Sequence, residues 1–98
     1  MEIEKINKIT NILEKYHFEY LDKDDKENEL IVEYTGDDVI FKEEDDFENY
    51  NDWIKFKNNQ EEIIQREFEK AINEIKKDIH IQNYVYYYDE YVCVSIYL

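Results

Sequence analysis

Apolar residues recur every three or four positions at the start of the chain, with lysine and asparagine between them. This spacing predicts an amphipathic helix of about four turns. Its apolar face consists of Ile3, Ile6, Ile9, Leu13 and Tyr16. The pattern then changes, because Phe18 is flanked by polar residues and the segment 22–29 is too polar to be buried. We therefore expect a short strand around 16–20 and then an acidic loop.

Two runs rich in β-branched and aromatic residues flank the only glycine of the chain. Leu30–Thr35 leads into a Gly-Asp pair, and Val39–Lys42 follows it. Strand-forming residues on both sides of such a pair are typical of an antiparallel hairpin. We expect Asp37 and Asp38 at the hairpin tip and Glu43–Asp46 at its exit.

The segment 47–57 is harder to assign. The spacing of Phe47, Tyr50 and Ile54 favours a short helix, although Ile54 and Phe56 would also alternate on a strand. We favour the helix and leave the strand open.

The clearest helical pattern comes next. Asn59 and Glu62 resemble the two ends of a capping box, which predicts Asn59 as the N-cap of a helix over Glu61–Ile79. Lys76 and Lys77 near the end of that helix suit its dipole. Its apolar face consists of Ile64, Phe68, Ala71, Ile72, Ile75 and Ile79.

Two strand-like runs close the chain, Asn83–Tyr88 and Tyr91–Leu98, separated by Asp89 and Glu90. A two-residue turn would place Val85, Tyr87, Val92 and Val94 on the core side. The opposite side would carry a tyrosine face of Tyr84, Tyr86, Tyr88, Tyr91 and Tyr97. Because the turn lacks the glycine that such turns favour, a slightly longer loop stays open. We expect the tyrosine face to pack within the molecule or to form a homodimer contact.

Together these elements predict one α+β domain over residues 1–98. Two amphipathic helices would pack on one face of an antiparallel sheet, in the order α-β-β(-β)-α-β-β. The strand order within the sheet is not determined by the pattern.

Charge adds a second level of information. The chain has a net charge of −14, and the segment Asp22–Asp52 holds fourteen acidic residues and only three lysines. A concentrated negative field attracts basic partners and repels nucleic acid and anionic membranes. We therefore expect a basic protein as partner, with no direct contact to nucleic acid or membrane.

We expect no signal peptide, since the first residues have no basic region followed by an apolar one, and no apolar run is long enough to cross a bilayer. Cys93 has no second cysteine to pair with. Heavy use of Lys, Asn, Ile and Tyr, with one alanine and no proline, suggests an AT-rich genome. These features favour a protein in the cytoplasm of a bacterial or archaeal host.

No motif indicates catalysis, and we expect neither an enzyme nor a cofactor. His17, His80 and Cys93 lie in no recognisable catalytic context. Asp22, Asp24 and Glu33 fit positions 1, 3 and 12 of a calcium loop. However, Lys26 and Glu27 stand where that loop needs an oxygen ligand and a glycine, so no metal site is predicted.

The acidic segment is the candidate site. Charge runs are often only a solvated surface, but this one includes strand-like residues that could hold carboxylates in an ordered array. Tyr50 and Trp53 are candidate anchors beside it, because these residue types dominate binding hot spots. The predicted partner-binding set is Asp22, Asp24, Asp25, Glu27, Glu29, Glu33, Asp37, Asp38, Glu43, Glu44, Asp45, Asp46, Tyr50 and Trp53.

In these features the chain resembles the small acidic phage proteins that inhibit host defences, especially anti-CRISPR inhibitors that imitate DNA. The resemblance lies in overall size, the Ile3–Tyr16 helix, the acidic Glu29–Asp46 region and the Glu61–Ile79 helix. It includes no motif and transfers no individual residue. It implies a stoichiometric inhibitor that occupies a target-DNA or guide-RNA site on an effector nuclease.

A second hypothesis uses the same surface. The protein would be an immunity protein or antitoxin that neutralises a cognate basic nuclease or toxin. Gene neighbourhood separates the two, because a toxin gene alongside favours immunity and phage genes favour an inhibitor.

Overall fold

The computed structural model describes residues 2–37, 42–88 and 92–98. The fold is α+β, with two helices and a four-stranded antiparallel sheet in the strand order β1-β2-β4-β3. The elements are α1 (Ile3–Lys15), β1 (Phe18–Asp24), β2 (Glu29–Tyr34), a 3-10 turn (Glu44–Asp46), α2 (Tyr50–Ile75), β3 (Asn83–Tyr88) and β4 (Val92–Tyr97). The predicted class and order are confirmed, while residues 38–41 of the optional third strand lie outside the described ranges.

Helix α1 buries Ile6, Ile9 and Leu13 of the predicted apolar face, whereas Ile3 at its start is 72% exposed and that part of the prediction is wrong. The chain leaves the helix through His17, which adopts a left-handed conformation with φ of 68°. The His17 carbonyl then accepts hydrogen bonds from the Thr35 amide at 2.7 Å and the Thr35 hydroxyl at 3.0 Å. The His17 backbone thus fixes the connection between α1 and the sheet.

The acidic loop predicted over 22–29 is shorter than expected. Strand β1 continues to Asp24, which pairs with Glu29, so the turn comprises only residues 25–28. Asn28 adopts a left-handed conformation with φ of 50°, and the Asp24 side chain accepts a hydrogen bond from the Lys26 amide at 3.0 Å. Asn and Asp commonly stabilise turns in these two ways. The first hairpin of the fold is therefore β1–β2.

The predicted pairing of Leu30–Thr35 with Val39–Lys42 is wrong. Strand β2 is flanked by β1 on one side and by β4 on the other. Because both of its edges are occupied, it has no hydrogen-bonding groups left for a third strand. The Gly36-Asp37 pair predicted a local hairpin, but β2 pairs with the distant strand β4 instead.

Helix α2 is one continuous helix rather than two. Its N-cap is Asn49, whose side chain accepts a hydrogen bond from the Asn51 amide at 2.8 Å. The prediction of Asn59 as N-cap is wrong, because Asn59 lies inside this helix, with no Gly or Pro nearby to interrupt it. The helical assignment of 50–57 is confirmed. The helix ends at Ile75, four residues earlier than predicted.

The core lies between the two helices and the inner face of the sheet. Phe18 on β1 and Phe68 on α2 are fully buried, with ring centroids 5.3 Å apart in an edge-to-face arrangement. The other buried side chains come mainly from both helices and from strands β2 and β4; they include Ile9, Leu13, Leu30, Val32, Ile64, Ala71, Ile72, Ile75, Val92, Val94 and Ile96. The predicted buried face of the second helix is confirmed.

The β3–β4 register differs from the two-residue-turn prediction. Tyr88 pairs with Val92 and Val85 pairs with Ser95, so three residues separate the paired ends. A shift of one residue turns every side chain of a strand to the other face. Val85 and Tyr87 therefore point outward, and the predicted core position of both is wrong.

The predicted tyrosine face is right in one respect and wrong in another: Tyr84, Tyr86 and Tyr88 share a face and pack within the molecule, but that face is the core side and does not include Tyr97. Tyr84, Tyr86 and Tyr88 point inward beneath α2, where they pack against the core. Tyr84 and Tyr86 contact the Phe68 ring at centroid distances of 5.1 and 5.5 Å. Tyr97 remains on the outer face, and Tyr91 lies outside the described residues.

The molecule is elongated, with extents of 49 × 24 × 20 Å. Its radius of gyration is 14.8 Å, against about 12.6 Å for a compact chain of this length. The buried residues of α2 begin only at Ile64. We call residues 42–60 the arm, since none of them is buried.

Candidate partner-binding surface

The helices cover one face of the sheet, and the opposite face shows which acidic residues the fold brings together. Phe18, Leu30, Val32 and Tyr34 point inward, so their neighbours along β1 and β2 point outward. Of the six outward positions paired across this hairpin, five carry carboxylates and the sixth is Ile31. We call these five the acidic sheet face: Glu19, Asp22, Asp24, Glu29 and Glu33.

Two pairs of like charges lie directly opposite each other on this face. Glu19 pairs with Glu33, and Asp24 pairs with Glu29. Directly opposed like charges destabilise a sheet. Among the described residues, the lysine ion pair on this hairpin joins Lys23 to Asp25 in the turn, at 3.5 Å. The fold therefore holds these carboxylates together against their mutual repulsion.

The average charge density of the acidic sheet face is close to that of a nucleic-acid strand. Glu19 to Asp24 spans five residue steps, or about 17 Å at roughly 3.3 Å per residue. Five carboxylates over that length give about one charge per 3.4 Å, the axial spacing of phosphates along one strand of B-DNA. Because the carboxylates are fixed on two paired strands, the array is ordered before it meets a partner.

The other half of the outer sheet face is less polar. It comprises Ile31, Asn83, Val85, Tyr87, Cys93, Ser95 and Tyr97. The Tyr97 hydroxyl donates a hydrogen bond to Glu29 Oε2 at 3.0 Å, which joins this half to the acidic one. That bond to the Glu29 carboxylate also raises the pKa of Tyr97.

Cys93 is a poor candidate for nucleophilic chemistry. Burial raises the pKa of its thiol, and the nearby Glu33 carboxylate raises it further. A thiol must ionise to act as a nucleophile, so both effects reduce its reactivity at neutral pH. The side chain lies on the outer face opposite Glu33 and Tyr87.

The arm holds a second group of candidate residues. Glu43 and Asp46 cap the 3-10 turn reciprocally, each side chain accepting from the other's backbone amide. Phe47 and Phe56 lie 5.3 Å apart between ring centroids, with the Lys42 ammonium 5.5 Å from the Phe56 ring. This small aromatic cluster, separate from the core, holds the arm together.

Tyr50 and Trp53 begin α2 on the arm. Their ring centroids are 5.7 Å apart, and Tyr50 remains 59% exposed. The Lys57 ammonium lies 5.5 Å from the Trp53 ring, in cation–π geometry. Trp53 is therefore partly engaged within the arm, whereas most of the Tyr50 side chain faces solvent.

The predicted set forms two groups rather than one surface. Glu29 pairs with Tyr97 at one end of the sheet, and Tyr88 lies at the other end, where its hydroxyl accepts a hydrogen bond from Gln65 at 2.6 Å. From Gln65, α2 runs about 22 Å back to Tyr50 at 1.5 Å per residue. The aromatic candidates thus lie far from the β1–β2 turn.

The individual positions follow from this division. On the acidic sheet face lie the predicted Asp22, Asp24, Glu29 and Glu33. Asp25 and Glu27 belong to the adjoining turn, while Glu43, Glu44, Asp45, Asp46, Tyr50 and Trp53 belong to the arm. Asp37 follows the end of β2, and Asp38 lies outside the described residues. Glu19 was missed because it precedes the acidic segment; the alternation of Phe18, Glu19 and Tyr20 was the available signal.

Within residues 2–37, 42–88 and 92–98, no three His, Cys, Asp or Glu side chains are grouped so that they could bind a metal ion. Of the helices in these ranges, none combines the length and apolar composition needed to cross a membrane. Comparison of the chain with protein-family models, with curated proteins and with solved structures found no match.

Proposed function

We propose that this protein is a non-enzymatic inhibitor whose acidic sheet face occupies the basic nucleic-acid site of a partner protein. The partner class that fits best is a nucleic-acid-binding defence protein, with a CRISPR effector nuclease as the leading candidate. The acidic sheet face, rather than the whole acidic segment, would supply the main charge contacts.

The observation that carries this proposal is the pair of opposed like charges, Glu19 with Glu33 and Asp24 with Glu29. A purely solubilising surface has no need to place carboxylates directly across neighbouring strands, where they weaken the sheet. A Lys/Arg-rich partner would relieve that repulsion on binding. The stability lost in the free protein would then be recovered in the complex.

Preorganisation supports the same reading. A flexible acidic tail loses conformational freedom when it binds, which subtracts from affinity. The acidic sheet face lies on two paired strands, so its backbone is already ordered. A groove built for regularly spaced phosphates would meet a charge array of similar density.

The test compares two variants with the same change in charge. One neutralises the acidic sheet face by Glu19→Gln, Asp22→Asn, Asp24→Asn, Glu29→Gln and Glu33→Gln. The other neutralises five exposed acids of the arm and α2 by Glu44→Gln, Asp45→Asn, Glu48→Gln, Asp52→Asn and Glu62→Gln. Each is mixed with guide-loaded CRISPR effector nucleases from low-GC bacteria, and protection of target DNA and binding affinity are measured.

We expect the unmodified protein to protect target DNA, and the first variant to lose at least about 100-fold in affinity, or 2.8 kcal/mol. The second variant should lose no more than about tenfold. Equal losses would show that only total charge matters and would contradict a specific face. Loss confined to the second variant would assign binding to the arm instead.

A further inference from the structure

The two outer strands of the sheet differ in how well they are protected against pairing with another strand. An outer strand exposes unpaired backbone N–H and C=O groups, and proteins usually shield them with charges, prolines or bulges. Strand β1 has such protection: its pairing is irregular between Tyr20 and Asp22, and charged side chains occupy four of its seven positions.

Strand β3 at the opposite edge lacks all of these devices. Its sequence, Asn83-Tyr-Val-Tyr-Tyr-Tyr88, has no charge and no proline, and it pairs with β4 in regular register over six residues. No described strand pairs with its outer edge. Val85 and Tyr87 on its outer face are 37% and 51% exposed. Strand β3 is therefore competent to accept another strand.

We propose that β3 pairs antiparallel with β3 of a second copy of this chain, forming a two-fold symmetric dimer with a continuous eight-stranded sheet. Residues directly opposite each other in an antiparallel pair share a face. Two central registers satisfy this condition: Val85 opposite Val85, or Tyr86 opposite Tyr86. In both, tyrosines meet tyrosines or small neutral residues across the interface.

The distribution of charge selects this edge for self-association. Two copies at −14 each repel one another, but β3 is the strand farthest from the acidic sheet face. In the eight-stranded sheet the two acidic sheet faces come closest at their β2 strands, which are five strand spacings apart, or about 24 Å. That distance is several times the Debye length of about 8 Å at physiological salt. The strongest repulsion is therefore screened.

Acidic residues on α2 contribute to the remaining cost, as do Asp89 and Glu90, which follow β3 directly in the sequence. Glu61 and Glu69 are close enough to Tyr88 and Tyr86 to influence their ionisation. Glu61 is also paired with Lys57 at 3.8 Å, which reduces its effective charge. Because salt screens the repulsion between these carboxylates, we expect the dimer to be stronger at high salt than at low salt. Binding to a basic partner has the opposite salt dependence.

This opposite response separates the dimer from the proposed inhibitory function. The first experiment is sedimentation of the isolated protein from roughly 5 to 500 µM at about 50 and 500 mM salt. Hydrogen exchange is followed at the same concentrations. We expect a dimer that tightens with salt and amide protection in β3 that rises with protein concentration, while protection in β1 is unchanged.

Two variants locate the contact. Val85→Lys places a charge on the outer face of β3, and Tyr20→Lys makes the same charge change on β1, where the residue is 43% exposed. Val85→Lys should weaken the dimer at least about tenfold, and Tyr20→Lys should change it less than about twofold. Thermal unfolding at low concentration checks that both variants remain folded.

Three results would overturn the proposal. They are a monomer at every concentration and salt, a dimer disrupted by Tyr20→Lys but not by Val85→Lys, and concentration-dependent protection confined to residues outside β3. The hydrogen-exchange result on the unmodified protein decides the case even if a variant fails to fold. A monomer whose β3 amides become protected only on adding the inhibited nuclease would assign the edge to that partner and exclude the homodimer.

Discussion

The two halves of α2 belong to one helix but to different parts of the molecule. Its second half contributes five buried side chains to the core, from Ile64 to Ile75. Its first half contributes none and packs with the preceding residues of the arm, through contacts such as Phe47 with Phe56. The comparison shows that helix continuity does not require a continuous core. It also predicts that stability is concentrated in one half and that the other half can be changed at little cost.

The largest expected contrast comes from removing one aromatic ring in each half. Phe68→Ala should lower the free energy of unfolding by about 3–5 kcal/mol, because it empties a fully buried site. Phe56→Ala should cost less than about 1.5 kcal/mol, since its ring is half-buried in a small cluster. Urea denaturation of both variants measures the difference. Similar losses would mean that the arm is part of the core.

Alkaline pH should weaken the half of α2 that packs on tyrosines. Burial raises the pKa of Tyr86 and of Tyr88, which lie beneath that half. A group whose pKa is raised by folding binds its proton more tightly in the folded state. Its contribution to stability is complete below the unfolded pKa, about 10 for tyrosine, and declines as pH rises above it.

The corresponding measurement is the urea midpoint between about pH 8 and pH 11. We expect the midpoint to fall above about pH 10, and to fall less in the double variant Tyr86→Phe/Tyr88→Phe. Tyr50→Phe on the arm is the matched control. If that control also removed the pH dependence, the assignment to the inward tyrosines would be wrong.

Removing the helix cap should affect the arm alone. Asn49→Ala eliminates the side-chain hydrogen bond to the Asn51 amide, at an expected cost of about 1 kcal/mol to the first turn of α2. Hydrogen exchange should speed up at the start of α2 and remain unchanged around Phe68. Asn59→Ala, inside the helix, serves as the control. Faster exchange throughout α2 would show that its two halves unfold together.

The smallest expected effect is in the core half. The Tyr86 hydroxyl is buried and has no hydrogen-bond partner among the described residues. Removing an unsatisfied polar atom costs little or is stabilising, so Tyr86→Phe should change the free energy of unfolding by less than about 0.5 kcal/mol or increase it. Thermal unfolding at neutral pH checks this, with Tyr88→Phe as control, because Tyr88 has a hydrogen bond to lose. A loss well above this range would indicate a bound water.

Sequence periodicity predicted best where a helix is buried on one face. That condition holds for α1 and for α2 from Ile64 onward. It fails in the arm, where no buried residue marks a helical face. The polar residues around Asn59 therefore resemble the start of a helix although they lie inside one. The true cap at Asn49 lies before a turn in which no buried residue marks the helical face.

The sheet was harder to predict because its pairings depend on distant or very local choices. The first turn depends on the left-handed conformation of Asn28. A difference of one residue between the paired ends of β3 and β4 turns the side chains of β3 to the opposite face. The sequence predicted acidic residues on strands but placed them on the wrong hairpin, and the opposition of Glu19 and Glu33 became visible only with the β1–β2 register. Composition alone could not separate the sheet carboxylates from those of the arm.

Strand β2 pairs with β1, which directly precedes it in the chain, and with β4, which comes much later. Glu29 accepts a hydrogen bond from Tyr97, 68 residues later. The β1–β2 hairpin can form early, but one side of β2 stays unpaired until β4 arrives. During synthesis the sheet therefore cannot close until residue 97 has been made, and for that interval β2 offers a free edge to any other strand. In a nascent chain of this fold, that side of β2 is protected only when β4 pairs with it.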